Sequence, residues 1–473
     1  MAKFKPYIKD QLMLFPQSIN EYVPDAHLAK LVDRVVEQLD TSDIENKYSE
    51  LGQNTYHPKI LIKLLFYGYA IGERSGRMLA RKTETDTAYI YLAQMYKPDF
   101  RTINDFRKNN LEELSRYFID IVRLCKELGM VKIGRIHIDG TKMKANAANR
   151  LTKSKDDYEE WIKKTQQTID NILEEAHHVD EQEDSLYGNK RGDELPDDIN
   201  TEEKLKDKLE KVLKSFKTAK GKINLTDPDA KFMKGGDGKI SAAYNCQLAV
   251  TEDQFIVGAD VTTEANDRTS LQSTIKTAEE VLKEPVREVI ADTGYSSYEN
   301  YEYLSKNKKI GYIPDQNMTA AQQQNQDKYN QQNFTYDKAK DIYTCPEGQK
   351  LNPYKVRRVD SPHRKWRQIT YKASHCQACP SKTLCTTQSQ RTIERDDRRV
   401  LLEEMRQRLL SKEGREKYKK RLGTIEPVIG NIKHNLGYRY FLLRTLKKVQ
   451  GEFRLMCIGH NLKKMHRFAL LPA

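Results

Sequence analysis

Two aspartates stand in matching sequence contexts that suit cation-dependent chemistry. Asp139 follows the strand-like run 135–138 and directly precedes a glycine, while Asp292 follows the strand-like run 287–291 and is separated from a glycine by one residue. An Asp-Gly pair taken alone is typical of a turn that ends a strand. The repetition of the context favours a second interpretation, in which both carboxylates lie at neighbouring strand ends and bind a cation.

A third carboxylate, Glu426, precedes a proline in a segment that is typical of a helix start. Pro427 fits the first turn of a helix, so Glu426 is predicted at the helix N-terminus. Lys433 follows two helical turns later and should point to the same side. Residues 391–421 predict a separate, strongly basic helix that ends at Gly423. Three such carboxylates would offer the hard oxygen ligands that Mg²⁺ and Mn²⁺ prefer, and paired ions of this kind promote phosphoryl transfer.

A histidine shares the first aspartate's strand. Strict alternation places His137 on the same face as Asp139 and the isoleucines between and before them on the other face. We interpret His137 as a packing residue, or a residue that supports the ligands, in preference to a direct metal ligand.

The elements that must position these residues alternate between strand and helix. Beyond the Asp139 strand, the patterns predict a hairpin over 243–250 and 255–261, a helix over 268–283, the Asp292 strand and a strand over 310–314. The predicted fold is a mixed α/β sheet. Two antiparallel helices, predicted from apolar stripes, form an insertion over 151–235, which is either an interaction arm or a solvated addition.

The first 130 residues predict a helical domain that contains clustered basic residues. Arg74, Arg77, Arg81 and Lys82 follow two glycines, and Thr102 is a candidate cap for a helix that leads to Arg107. Short helices with tight turns and arginines fit a helix-turn-helix-like DNA-binding unit. A solvated helical bundle fits these residues equally well.

A second insertion is predicted over 316–390, where a Gln/Asn-rich connector leads to four cysteines. Cys345, Cys376, Cys379 and Cys385 could place four thiolates around a structural zinc ion, and free thiols are the alternative. With seven cysteines, an odd number, in a chain of 473 residues, a secreted disulfide framework is not expected.

The charge is concentrated at the C-terminal end of the chain. From residue 340 onward there are 31 Lys/Arg and 12 Asp/Glu, or +19, which leaves −6 for the first 339 residues of a chain whose net charge is +13. Such a field suits nucleic acid as a partner, with general solubility as the alternative. No apolar run has the roughly 20 residues of a membrane span, and the first residues lack the apolar core of a signal peptide, so we expect a cytoplasmic protein without membrane contact.

Taken together, these motifs resemble the DDE transposases of bacterial insertion sequences, which have a ribonuclease-H-like catalytic domain. The resemblance covers nearly the whole chain: Tyr22-Val-Pro-Asp25, the helical region 58–107, Ile138-Asp-Gly140, Ala291-Asp-Thr-Gly-Tyr295, the cysteine cluster and the segment 425–433. It implies that Asp139, Asp292 and Glu426 are the catalytic, metal-binding triad for Mg²⁺ or Mn²⁺. It also implies that Lys433 contacts the transposon end.

One spacing departs from the family pattern. Many relatives have a tyrosine, two residues, an arginine, three residues, the glutamate, and then six residues before the lysine. Here Tyr418 and Arg421 keep their own spacing, but four residues separate Arg421 from Glu426, and the helix is expected to break at Gly423. Tyr418 and Arg421 are DNA-binding candidates by this resemblance, and the basic residues Arg439, Arg77 and Arg81 are further candidates.

The expected activity is therefore metal-dependent endonuclease cleavage at the insertion-sequence ends, followed by attack of the freed 3′-hydroxyl on target DNA. The partners would be double-stranded DNA at both ends and at the target, bound by a homodimer of a nucleoid-associated enzyme. The expected organisation is a DNA-binding domain over 1–130 and a catalytic domain over 131–473 that contains both insertions. A stand-alone metal-dependent nuclease and a DNA-binding regulator with an inactive site are the alternatives.

Overall fold

The structure, a computed structural model, describes residues 18–48, 55–187, 197–216, 221–236, 238–316, 318, 328–361 and 364–470. Most of the predicted Gln/Asn-rich connector lies outside these ranges. None of the helices in the described ranges is both long and apolar enough to cross a bilayer.

The described chain begins with seven helices, after which groups of strands and helices follow one another. The helices are α1 Leu28–Glu37, α2 Ser42–Glu45, α3 Pro58–Ile71, α4 Gly76–Thr85, α5 Thr87–Leu92, α6 Phe100–Asn109, α7 Leu111–Glu127, α8 Lys155–Tyr187, α9 Asp197–Lys214, α10 Leu271–Leu282, α11 Tyr298–Lys306, α12 Lys382–Cys385, α13 Arg399–Leu410, α14 Lys412–Gly430 and α15 Leu446–Ala469. The strands are β1 Arg135–Lys144, β2 Thr152–Lys153, β3 Ile223–Asn224, β4 Lys231–Lys234, β5 Ile240–Thr251, β6 Ile256–Thr262, β7 Glu288–Ala291, β8 Ile310–Tyr312, β9 Thr335–Asp337, β10 Ile342–Thr344, β11 Lys350–Ser361, β12 Arg364–Ala373 and β13 Thr392–Asp396.

A six-stranded mixed sheet forms the centre of the molecule. Its order is β4-β5-β1-β7-β8, and β6 also pairs with β5. Strand β1 is antiparallel to β5 and parallel to β7, and β7 is parallel to β8. This topology is ribonuclease-H-like, which confirms the predicted α/β fold. Residues 242–251 of β5 are buried at every position because the sheet is covered on both faces.

The N-terminal helices share one hydrophobic core with this sheet. Helix α15 packs against α3, α7 and β6, and it approaches α3 closely at Gly459. A Cβ added there would lie 2.4 Å from the carbonyl oxygen of Tyr69, so this crossing requires glycine. The Arg74 guanidinium, buried in the same region, pairs with Glu452 on α15 at 3.0 Å.

Two further units lie outside the central sheet, in the regions where the insertions are predicted. In the first, α8 and α9 pack as an antiparallel pair, with Tyr158 and Trp161 near the α9 residues Leu209 and Val212. In the second, five strands form a sheet of order β13-β12-β11-β10-β9 with its own small core.

Two predicted boundaries on the C-terminal helices are wrong. Residues 392–396 form strand β13, so the predicted basic helix begins later and is divided into α13 and α14. Helix α14 then runs without a break through Gly423 and Pro427. Because proline has no N–H, the Gly423 carbonyl lacks its helical donor. The Gln254 side chain on the β5–β6 turn donates to that carbonyl instead, at 3.0 Å.

Candidate active site

Asp139 and Asp292 lie side by side on the two central parallel strands. The β1–β7 register pairs Ile138 with Ala291, so the residue that follows each one is an aspartate. Strand β1 continues through Asp139 and Gly140 to Lys144, which corrects the prediction of a strand end and a glycine turn. Pairing of β1 with β5 keeps it extended there, and only Asp292 stands at a strand end.

Helix α14 brings Arg421 and Glu426 to these aspartates. The Arg421 guanidinium donates to the Asp139 carboxylate at 2.8 Å and lies 4.0 Å from a carboxylate oxygen of Asp292. Its other terminal nitrogen lies 4.0 Å from the Glu426 carboxylate. One buried cation, the Arg421 guanidinium, therefore faces all three predicted acidic residues. The first of them, Asp139, lies 282 positions before Arg421 in the sequence.

The extra residue between Arg421 and Glu426 does not prevent their side chains from approaching each other. Because α14 is continuous, the five-residue step turns Glu426 away from the direction of Arg421 on the helix surface. The long arginine side chain spans this offset. Tyr418 lies one turn earlier on the helix and is half-buried; burial and, to a smaller extent, Asp292 and Asp139 raise its pKa.

Contacts at the sheet edge fix the position of α14. The Lys417 ammonium donates to the Glu288 carboxylate at 2.6 Å and to the Tyr312 hydroxyl at 3.2 Å. Glu288 also accepts from Arg135 on β1. These ion pairs raise the pKa of Lys417 and hold the pKa of Glu288 low, although burial acts in the opposite direction on Glu288. The helix is therefore anchored one turn before Arg421.

A fourth carboxylate, Asp267, belongs to the cluster and was missed by the sequence analysis. It accepts hydrogen bonds from the side-chain amides of Asn245 and Gln247, both at 2.7 Å, and pairs with Lys142 at 3.3 Å. Asp267 lies five residues after the end of β6, so the strand-then-aspartate pattern excluded it. The sequence signal that could have indicated the cluster is the pair of amide residues Asn245 and Gln247, which alternation places on one face of the predicted strand. Both side chains are buried in the structure.

Gly140 leaves the space that Asp267 occupies. A Cβ on residue 140 would lie 2.3 Å from a carboxylate oxygen of Asp267 and 2.6 Å from the Gln247 amide nitrogen. The glycine is therefore required by a close approach of side chains within the cluster.

Burial and mutual repulsion raise the pKa values of the acids. Burial and, to a smaller extent, the neighbouring Asp292 and Asp267 raise the pKa of Asp139 to about 6, against the opposing effects of Arg421 and the Gly140 N–H. Burial is also the main cause of the raised pKa of Asp292. Crowded carboxylates of this kind are stabilised by a cation between them.

His137 lies buried on the strand face that Asp139 shares. Burial lowers its pKa to about 4, so the ring is neutral at physiological pH. Neither ring nitrogen has a hydrogen-bond partner among the described residues. This environment agrees with our interpretation of His137 as a packing residue.

The predicted lysine and its neighbour lie beyond Glu426. Lys433 is in a π-helical turn, Asn431–Asn435, and donates to the Lys142 carbonyl on β1 at 2.8 Å. Single π turns occur often at functional sites. Arg439 is exposed next to this turn, within hydrogen-bond distance of His434. Residues 437–445 are not helical, and Tyr440 forms an isolated parallel bridge with Lys144 on β1.

The N-terminal arginines divide into exposed and buried groups. Arg77 and Arg81 are exposed one turn apart on α4, as a DNA-contacting pair requires. Arg74 and Arg107 are buried, and Arg107 donates to the Arg74 carbonyl at 2.8 Å, so these two have structural roles. Asp99, rather than Thr102, caps α6.

The four clustered cysteines surround the small core of the second sheet. Cys376 is buried in that core, and Cys345 and Cys385 pack against it. The sulfurs of Cys345 and Cys376 accept backbone N–H groups from Gln349 and Arg391. Within the described ranges no three or more His, Cys, Asp or Glu side chains are close enough to hold a metal, so a zinc site is not supported.

Among the described residues, the carboxylates of the acidic cluster are likewise not close enough together to hold a metal as a group of three. They are arranged around the Arg421 guanidinium. Their chemistry nevertheless fits a divalent cation. The donors of Asp139, Asp292, Glu426 and Asp267 are all hard carboxylate oxygens, which is the ligand type of Mg²⁺ and Mn²⁺. Asp139 and Asp292 already face a shared positive charge.

The fold and this cluster define a ribonuclease-H-like protein with acidic residues on its central strands. Two family models match the chain: the transposase DDE domain over residues 344–466 and the transposase domain (DUF772) over residues 17–109. These matches support the interpretation of the chain as a DDE transposase of an insertion sequence. The first match includes Arg421, Glu426 and Lys433. Comparisons with curated proteins and with solved structures found no match.

Proposed function

We propose that this transposase cleaves DNA at the ends of its insertion sequence and joins the freed ends to target DNA, using Mg²⁺ or Mn²⁺ held by Asp139, Asp292 and Glu426. The observation that supports this proposal is the convergence of the three carboxylates on the Arg421 guanidinium. They come from β1, from the end of β7 and from α14, and folding alone brings them together.

The bound cations would supply the charge that activates a water or a 3′-hydroxyl and stabilises the leaving oxygen. The chain's own residues prepare this chemistry. Asp267, held by two buried amides and Lys142, adds negative charge beside Asp139 and Asp292. Arg421 neutralises the acids and presents a guanidinium that is suited to phosphate. His137 is buried and neutral and adds no charge to the cluster.

DNA is the substrate of a transposase, and its placement here is part of the proposal. Lys433 and Arg439 lie next to β1 and would contact phosphates near the scissile bond. Arg77 and Arg81 would contact DNA from the helical domain over 1–130. Joining two ends requires a homodimer on DNA.

The test is an assay of cleavage and strand transfer on DNA that carries the terminal repeats flanking the gene. Wild type should cleave and join the ends in Mg²⁺ or Mn²⁺ and do neither in EDTA. Asp139→Asn should abolish both steps and retain DNA binding. Glu284→Gln is the matched control, because it removes a carboxylate that pairs with Lys126 at the end of α10, and it should retain wild-type activity.

Each other result has a definite meaning. Equal activity of Asp139→Asn and wild type would refute the site. Cleavage without joining would favour the stand-alone nuclease, and tight binding of wild type without cleavage would favour the DNA-binding regulator.

A further inference from the structure

A two-stranded ribbon extends from the second sheet beyond its neighbouring strands. We define the ribbon as residues 352–361 and 364–367, the distal parts of β11 and β12, which pair with each other as far as Ser361 and Arg364. Strand β10 pairs with β11 only at Leu351 and Lys350. Strand β13 pairs with β12 only from Gln368 onward. The ribbon therefore has two edges without a strand partner among the described residues.

No described side chain of the ribbon is buried. Tyr354 is 66% exposed and Val356 is 55% exposed, and the small core of the second sheet ends at Leu351. A two-stranded ribbon with no buried face gains little stability from its own packing. Binding of a partner to the ribbon would explain why it extends beyond the sheet, whereas packing against the core of this chain does not.

The ribbon is strongly basic. Its sequence contains six Lys/Arg residues and one acidic residue, Asp360; the basic residues are Lys355, Arg357, Arg358, Arg364, Lys365 and Arg367. Lys355, Arg357 and Arg358 are exposed, and none of them pairs with a carboxylate among the described side chains. Arg367 pairs weakly with Asp397, at 3.9 Å. The positive charge is therefore available to an anionic partner.

The base of the ribbon is connected through side chains to α11, the helix that follows Asp292 in the chain. The Arg398 guanidinium lies over the Trp366 ring at 4.8 Å and over the Tyr298 ring at 4.7 Å. Tyr298 begins α11, six residues after Asp292. Arg398 is held in turn by Asp396 at 2.6 Å. The ribbon is thus connected through stacked side chains to the element that follows a proposed catalytic aspartate.

We propose that the ribbon binds double-stranded DNA next to the cleavage site, with Lys355, Arg357 and Arg358 on phosphates. A two-stranded ribbon fits the major groove of B-DNA, and its unpaired cations complement the phosphate backbone. The inference rests on the proposed function, which supplies DNA as the substrate, and adds the surface that holds it.

The test compares Lys355→Gln/Arg357→Gln/Arg358→Gln with wild type on a 30-base-pair duplex of random sequence, across a series of salt concentrations. Loss of three phosphate contacts should weaken binding on the order of 100-fold at 0.1 M salt and reduce the slope of log affinity against log salt by about 2 to 3. All three positions are exposed, so the thermal unfolding midpoint should not change.

The matched control is Lys204→Gln/Lys208→Gln/Lys211→Gln, which removes the same charge from exposed positions of α9. An equal loss of affinity in this control, or unchanged affinity in the ribbon variant, would overturn the proposal. A change of oligomeric state in the ribbon variant with unchanged DNA affinity would assign the ribbon to a second copy of the chain and also overturn it. If wild type binds DNA, the ribbon variant loses affinity and wild type does not cleave, the proposed function is refuted and the ribbon proposal stands.

Discussion

At the scale of single residues, the site depends on one cation that faces several buried acids. Arg421 donates to Asp139 and lies near Asp292 and Glu426. The fourth acid of the cluster, Asp267, has its own amide and lysine partners. Repulsion among these acids raises the pKa of Asp139 to about 6 after the larger effect of burial. Small residues beside the acids set how closely they approach one another.

Gly140→Ala tests this close approach. The added Cβ would collide with the Asp267 carboxylate and the Gln247 amide, so both side chains must move. We expect a loss of about 1–3 kcal/mol in the free energy of unfolding and a fall of about a hundredfold in cleavage rate. Chemical denaturation and single-turnover cleavage would measure the two effects. Wild-type cleavage by this variant would show that the position of Asp267 does not matter.

At the scale of elements, α14 is the helix that completes the site. Lys417 fixes it to the sheet edge, and Gln254 donates to the carbonyl that Pro427 leaves without a helical partner. The helix therefore passes through Gly423, where the sequence predicts the end of one helix, and through Pro427, where it predicts the first turn of the next. Tertiary contacts replace the missing helical hydrogen bond.

Gly423→Ala tests the continuity of α14. A Cβ at residue 423 meets no atom within 4 Å. Within a continuous helix, alanine should raise the free energy of unfolding by about 0.5–1 kcal/mol, because glycine loses more backbone entropy on folding. Cleavage should be unchanged. Destabilisation, measured by urea denaturation, would instead support the helix break that the sequence predicts.

At the scale of the whole molecule, the C-terminal helix α15 joins the N-terminal helices to the catalytic sheet. Glu452 on α15 pairs with Arg74 and accepts the backbone N–H groups of Leu442 and Leu443. His460 lies within hydrogen-bond distance of Asn431, at the end of α14, and of the Gln254 carbonyl. Residues far apart in the sequence thus share one core and one hydrogen-bond network.

The pH dependence of stability should show the contribution of His460. Burial and, to a smaller extent, the nearby Lys464 and Arg467 lower its pKa to about 4, from an ordinary value of about 6.5 in the unfolded chain. Between these values the unfolded chain binds a proton that the folded chain does not, so the free energy of unfolding falls as pH falls, by at most about 3 kcal/mol from this group. Denaturation of wild type and His460→Gln from pH 7 to pH 4 should give a shallower dependence in the variant. Parallel curves would contradict the assignment.

The sequence by itself predicted a mixed α/β sheet, because the order and periodicity of its strands and helices are local properties, and the resemblance to DDE transposases implied the ribonuclease-H-like topology. The apolar runs that place Asp139 and Asp292 on strands are visible without coordinates. The match of their contexts, with Glu426 and Lys433, was enough to indicate the acidic site and the family.

Only the tertiary structure decided which side chains meet. Asp267 joins the cluster through amides on β5 and space at Gly140, and neither contact has a signature in the chain near Asp267. Sequence composition likewise does not separate buried Arg74 from exposed Arg77, because burial depends on helices that come from the other end of the chain. Local patterns specify elements, whereas long-range packing specifies the partners of each charged group.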